Sequence, residues 1–259
     1  MSSNKSDEVF VYMGDNQDIP MDVVSIRFHP SVIEVGLRAF EDCSDLREVV
    51  LNEGLVTIGY KTFMNCRSLE SITALPVTVT SVGERAFYNC ESLKEVVLNE
   101  GIQKIGWGAF CGCKSLVNIT LPSTVTSIGW HAFQICRDLR EVVLNEGLRR
   151  IGNNAFFSCS SLQSVTIPST VTSIGEGAFQ HCSELREVVC SGELPKIVHN
   201  TFRGCSKLER ITFPDISSRL EDIIRAGQVD AKNKIQLYMI RGVIEWRRGD
   251  TIHIHPWKC

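Results

Sequence analysis

Apolar residues recur along this chain in short clusters separated by polar stretches, at an interval far longer than a helical turn or a strand alternation. A phenylalanine stands at positions 40, 63, 87, 110, 133, 156, 179 and 202, a spacing of 23 residues with one step of 24. Three residues after each comes a cysteine, from Cys43 to Cys205, and six residues after each a leucine, from Leu46 to Leu208. Nine residues on stands a β-branched residue, from Val49 to Ile211. At eleven stands Leu51, Leu98, Leu121, Leu144, Ile167, Cys190 or Phe213, with Ala74 in the second unit. Self-similarity at such a period marks a solenoid, in which each unit buries its apolar face only against its neighbours.

Within a unit, Leu-x-x-Val-x-Leu alternates at period two over its last three residues and predicts a short strand with one buried face. Strands of successive coils are expected to stack into a parallel sheet. A glycine such as Gly59 or Gly129 then supplies a turn conformation that side chains resist, and the next Phe plugs the far side of the coil. The 24-residue step falls in Ile72-Thr-Ala-Leu-Pro76 and reads as a bulge beside Ala74. A longer period overlies the first. Coils carrying Val-Val-Leu-Asn-Glu-Gly (49–54, 96–101, 142–147) alternate with coils carrying Leu/Ile-Pro-Ser-Thr-Val (121–125, 167–171), so the repeating genetic unit is a pair.

The ends of an open stack need covers. Ile26 to Gly36 repeats the second half of a coil, Val9–Tyr12 predicts an edge strand, 15–20 a loop, and residues 1–8 disorder. Past Pro214 the period stops. Ser218-Arg-Leu-Glu221 has the spacing of a capping box, with Leu220, Ile223 and Ile224 on one helical stripe as far as Gly227. A second helix is expected near Asp230, with Ile235, Tyr238 and Met239 at spacings of three and four, followed by a hairpin of 243–246 with 251–256. The chain therefore divides into a tail and edge-strand cap (1–22), a solenoid of a partial coil plus eight repeats (23–214) and a helical and hairpin cap (215–259).

The unit resembles the BspA-like subclass of leucine-rich repeats, whose coil reads Ile-Gly-x-x-Ala-Phe-x-x-Cys-x-x-Leu-x-x-Val-x-Leu-Pro. The resemblance spans about residues 23 to 214, with eight successive units agreeing at Phe, Cys and Leu. It implies a right-handed superhelix with a parallel concave sheet, short convex strands or 3-10 turns, and a C-terminal α/β cap. Bacterial relatives imply a surface adhesin or carbohydrate-contacting module, whereas many eukaryotic ones carry no assigned role.

Composition narrows the function classes. The formal net charge of -3 excludes a strong generic attraction to nucleic acid or anionic membrane. No apolar stretch reaches the roughly 20 residues that span a bilayer, and the opening residues lack the apolar core of a secretory signal, so a cytoplasmic location is expected. Eight of the 11 cysteines share one repeat position, which reads as reduced, buried filler rather than a disulfide framework. His253 and His255 share one face of a strand but lack the further ligands of a tetrahedral site, so no metal is assigned. No phosphate loop, nucleophile elbow or His-Glu-x-x-His occurs, and His131 and His181 lack a spaced partner. The chain is read as non-enzymatic, without a cofactor, with a monomer as the default.

Two surfaces are candidates for a protein partner. On the concave sheet the outward positions form two columns, of which Glu48, Val50, Thr73, Glu95, Val97, Thr120, Glu141, Val143 and Thr166 are the predicted contacts. A cation precedes each glutamate, as Arg47, Lys94 and Arg140 do, and is expected to pair with it. The second surface is a shoulder after the glycines, where Tyr60, Trp107 and Trp130 occupy equivalent places, with Tyr88 and Phe157 extending it. The alternative to both is a structural spacer without a ligand, in which the β-branched residues serve strand propensity alone.

Overall fold

The structure is a computed structural model that describes residues 9–14, 17–192, 195–197, 200–213, 236–239, 242–247 and 251–256. The chain winds as a solenoid of stacked coils held by three hydrogen-bonded ladders. Among the described residues there is no α-helix.

The first ladder is built from the longer strands, which form the face expected to be concave. Val9–Tyr12, Ser25–Phe28, Glu48–Val50 and Ser71–Ile72 pair in that order, all parallel. Asn118–Thr120 pairs with Glu141–Val143, and Ser164–Ile167 continues through Glu187–Cys190 and Arg210–Phe213 to Gln236–Met239. Equivalent residues face each other across coils, as Val142 faces Ile119 and Val188 faces Val165. Strand periodicity buries Val49, Ile119, Val142 and Val165 and turns their neighbours outward.

The second ladder is unbroken. Two-residue strands from Glu34–Val35 through Thr57–Ile58, Ser81–Val82 and Lys104–Ile105 to Lys196–Ile197 form one eight-stranded parallel sheet. The third runs through the Ala-Phe turns. The Phe63 amide donates to the Ala86 carbonyl at 2.8 Å, Phe87 to Ala109 at 2.8 Å and Phe133 to Ala155 at 2.8 Å. Each of these turns holds two left-handed residues, two before and two after the Phe. Arg38, Lys61, Arg85, Gly108, His131, Asn154, Gly177 and Asn200 occupy the first position; Asp42, Asn65, Asn89, Gly112, Ile135, Ser158, His181 and Gly204 occupy the second.

The glycines after the two-residue strands serve a different purpose from the one expected. They are absent from the left-handed set; instead a Cβ on Gly83 would stand 2.5 Å from the Gly59 carbonyl oxygen, and one on Gly129 would stand 2.6 Å from the Gly106 carbonyl carbon. Here glycine permits adjacent backbones to meet, which no side chain allows.

Inside, the eight phenylalanines form one column. Successive ring centroids lie 5.2 to 5.7 Å apart with planes within 13° of parallel. Tyr12, fully buried, closes the N-terminal end of the column, its ring edge-on 5.0 Å from Phe40 with Phe28 beside both. Each thiol at the repeat position from Cys66 to Cys205 donates to the Phe carbonyl of the coil before, as Cys113 does to Phe87 at 3.2 Å and Cys159 to Phe133 at 3.1 Å. The cysteine is thus a small apolar filler that also satisfies a buried carbonyl.

The alternation of coil types has a hydrogen-bonding cause. Asn99 Nδ2 donates back to the Leu75 carbonyl at 3.0 Å, and Asn145 Nδ2 donates to the Leu121 carbonyl. Glu100 and Glu146 reach forward, accepting from the Ser123 and Ser169 hydroxyls at 2.9 Å each and from the amides of the same serines. Thr124 and Thr170 donate back to the Ile102 and Leu148 carbonyls. Asn-Glu-Gly edges therefore fit between Pro-Ser-Thr edges.

The inserted residue is a bulge: Ala74 is exposed and Leu75 takes the core place, 2 % exposed. Residues 95–97 of the next coil form no strand, although the Leu75 amide still donates to the Val97 carbonyl at 3.0 Å, and the other two ladders continue. At the C-terminal end, the proposed helix over 218–227 lies outside the described residues. The second expected helix is corrected: Tyr238 and Met239 belong to Gln236–Met239, a strand parallel to Arg210–Phe213. Gly242–Arg247 and Thr251–Pro256 pair antiparallel beside it.

Phe133→Ala opens a void in mid-column and is expected to destabilise the protein by about 3–5 kcal/mol in urea unfolding. Ile135 is β-branched in the left-handed region at φ 61°, a conformation that costs roughly 1–2 kcal/mol. Ile135→Asn, which copies Asn65 and Asn89 of the same column, is expected to raise the urea midpoint. A lower midpoint would mean that the contacts of the isoleucine outweigh its strain.

Candidate binding face

The long strands present the predicted contacts as a two-column array. Glu48, Thr73, Glu95, Val97, Thr120, Glu141, Val143 and Thr166 are exposed and Val50 is half-buried. Val97 is 54 % exposed and Val143 36 %. Coils carrying Glu and Val alternate with coils carrying Ser or Asn and Thr, because the coil types alternate.

Charge pairing on this face differs from the sequence expectation. Lys94 pairs with Glu70 of the coil before, Nζ to Oε2 2.8 Å, not with the adjacent Glu95. Arg186 pairs with Glu209 at 3.3 Å and Glu187 with Arg210 at 3.2 Å, each across coils. A strand turns consecutive residues to different sides, so chain neighbours are poor partners while equivalent residues of stacked coils are close. The hydrogen bond from Lys94, aided by its charge, holds the Glu70 carboxyl below the usual carboxylate range. Among the described residues, Glu48, Glu95 and Glu141 take part in no ion pair.

Between the coils of 94–100 and 117–122 there is a cleft of about 490 Å³, whose lining includes Lys94, Glu95, Val97, Asn118, Thr120 and Pro122. Glu95, Val97 and Thr120 are among the contacts predicted from sequence; the cleft itself was not predicted. A second, smaller hollow of about 220 Å³ lies beside Tyr12, Ile19 and Leu37 at the N-terminal end.

The shoulder residues are also at the surface. Trp130 is 59 % exposed and Trp107 39 %, while Tyr60 is half-buried. The Arg85 guanidinium lies 4.1 Å from the Trp107 ring centroid and 5.8 Å from that of Tyr88, so it holds both rings by cation–π contact. Arg38 and Lys61 flank Tyr60 in the same way, at 5.8 and 5.3 Å. Phe157 meets His181 edge-on at 5.4 Å. Arg85 was not among the residues predicted for this surface; it stands two residues before Phe87 in the left-handed column, beside Trp107.

The chemistry of these surfaces is that of contact. The ten described cysteines are free and buried. Burial, as the largest cause, raises the Cys43 and Cys111 thiols to about 11 and Cys190 to about 12, and raises Cys90, Cys113 and Cys136 well above the ordinary value. Among the described residues no group of three or more His, Cys, Asp or Glu is placed to hold a metal ion. The side chains of His253 and His255 lie outside them. Nor is any described helix long and apolar enough to cross a membrane.

These parallel ladders, with a Leu-x-x-Val or Leu-x-x-Ile segment and an Ala-Phe or Thr-Phe turn in each coil, define a leucine-rich-repeat solenoid. The family described as BspA type leucine rich repeat region (6 copies) matches residues 20–139 and again 104–224, and the chain belongs to it. A leucine-rich repeat protein of Bacteroides ovatus is similar at 27% identity and a TM-score of 0.58, over 73% of this chain and 55% of its own. This chain thus spans about half the length of that relative. The leucine-rich repeat protein of T. pallidum is similar at 25% identity and a TM-score of 0.50, over 78% of this chain and 82% of its own. No curated protein matches.

Only thiolate reacts with disulfide reagents. In the native protein at pH 8 the repeat cysteines are therefore expected to resist Ellman's reagent and to react in full once guanidinium unfolds the stack. Prompt reaction of several thiols in the folded state would contradict their assignment as core.

Proposed function

We infer that this protein is a non-enzymatic binding scaffold that holds another protein on the concave, long-strand face. The observation that carries this reading is the exposed Glu and Val array on a rigid ladder, interrupted by a cleft in the middle of its length. Stacked coils are ordered before a partner arrives, so binding costs little backbone entropy. The exposed valines give desolvation and the unpaired glutamates give orientation.

The rest of the reading follows from the same features. The scaffold works as a monomer without a cofactor, its coils wind right-handed as parallel crossovers almost always do, and the strands after 235 belong to a C-terminal cap. Buried, reduced thiols suit a cytoplasmic setting. The exposed Trp107 and Trp130, in adjacent coils, favour a second reading: a carbohydrate or cell surface stacked on the shoulder.

Affinity capture from native lysate separates these. The variant Val97→Lys/Val143→Lys changes only exposed positions and is expected to keep the urea midpoint while losing one prominent captured protein. Loss in Trp107→Ser/Trp130→Ser instead favours the shoulder. A profile unchanged in both variants leaves a spacer as the function and refutes the scaffold.

A further inference from the structure

We propose that the N-terminal end of the solenoid is a self-association surface held shut by the Gln17 side chain, and that opening it joins two copies of this chain edge to edge through residues 9–13. The proposal concerns the end of the stack and does not rest on the concave-face reading.

Apolar surface is left uncovered at this end. Among the described residues twelve large apolar side chains are exposed, and six of them, Val9, Val11, Met13, Met21, Ile33 and Leu37, lie between 9 and 37. Val9–Tyr12 is also the outermost strand of its sheet, with Ser25–Phe28 as its one neighbour. It carries neither charge nor proline, the features that keep a bare edge from adding another strand. At the other end the sheet runs on past Arg210–Phe213 into a hairpin, whose outer strand Thr251–Pro256 carries two histidines and ends on proline. The edge best suited to Val9–Tyr12 is therefore the same edge of a second copy.

Gln17 stands on that edge. In a parallel pair alternate residues bond to the neighbour, and here the His29 amide donates to the Tyr12 carbonyl at 3.0 Å, so the even-numbered residues bond inward. The odd-numbered ones turn their N–H and C=O to the open side. Gln17 takes two of these groups: its Oε1 accepts from the Met13 amide at 2.8 Å and its Nε2 donates to the Val11 carbonyl at 3.1 Å. One carboxamide thus makes the donor and acceptor contacts that a further strand would make. It also lines the small hollow shared by Tyr12, Ile19 and Leu37.

The strand's own pattern sets the register that release permits. Copies related by a two-fold axis pair antiparallel, and residues opposite each other then share a face of the sheet. Exposed Val9, Val11 and Met13 therefore meet one another, while buried Tyr12 meets half-buried Phe10. Centring the pair on Val11 uses all five residues: Val11 faces Val11 of the second copy, Val9 faces Met13, and Phe10 faces Tyr12. A slip of one residue sets the exposed valines against the buried aromatics.

Sedimentation equilibrium of the full chain tests this. Wild type is expected to be a monomer, Gln17→Ala to associate at least 10-fold more tightly as a dimer, and Gln17→Ala/Val11→Lys to return to monomer. Gln17→Met, which keeps the side-chain length without donor or acceptor, takes the place of the alanine variant if a lost urea transition shows that the latter does not fold. Register is read in the same background. Val11→Cys sets two thiols on residues about 5.5 Å apart between Cα atoms, within disulfide range, and is expected to cross-link on mild oxidation, whereas Val9→Cys and the parent without either cysteine do not. A dimeric wild type, folded Gln17 variants that stay monomeric, or dimers that fail to cross-link at position 11 overturn the proposal. None of these substitutions touches Val97 or Val143, so capture on the concave face is read separately.

Discussion

One constraint governs this molecule: every rung must repeat at the same inter-coil distance. The long-strand ladder, the two-residue ladder, the turn ladder and the phenylalanine column all span the same gap. Parallel rings within 13° are what identical rotamers on translated backbones produce. The spacing admits no Cβ where backbones meet, which fixes glycine at 83, 106, 129 and 152. It places each thiol under the carbonyl of the coil before, which fixes a small, polarisable donor. An extra residue is tolerated only where no shared rung passes through it, as at exposed Ala74. On both sides of it the backbone stays bonded to the neighbouring coils, Thr73 to Val49 and Leu75 to Val97.

The core was legible because burial selects residue type. Phe, Cys, Leu and a β-branched Val or Ile recur without exception in their buried columns, and the Ala74 step could be read as a bulge by counting alone. The backbone of the turns was not legible. Its left-handed residues include Arg38, Lys61, Ile135 and His181, side chains that give no hint of that conformation, and only the glycines at 108, 112, 177 and 204 of the same columns betray it. The roles of the Ile-Gly glycines were misassigned because sequence cannot distinguish a need for φ from a need for proximity. Residues 236–239 failed for another reason: a spacing of three and four in so short a run fits either element, and pairing with Arg210–Phe213 decides for a strand.

The candidate site divides along the same line. Which residues face outward followed from the strand period: eight of the nine predicted positions are exposed and Val50 is half-buried. Which charges pair did not follow, because chain adjacency is a poor guide in a stack. Lys94 lies next to Glu95 in sequence but reaches Glu70 in the coil before. The cleft lies between the coils of 94–100 and 117–122, beside residues 95–97 that form no strand.

The two-coil period of the face has a structural origin. Asn-Glu-Gly edges lock to Pro-Ser-Thr edges through side-chain bonds such as Glu146 to Ser169, so the two coil types must alternate for their edges to mate. The Glu and Val of the charged coil are carried on the same unit as its Asn-Glu edge, as Glu141 and Val143 are with Asn145 and Glu146. Locking at one edge thereby imposes an alternating pattern on the exposed sheet. The alternation of charged and polar positions on the face is thus inherited from the way the coils are joined.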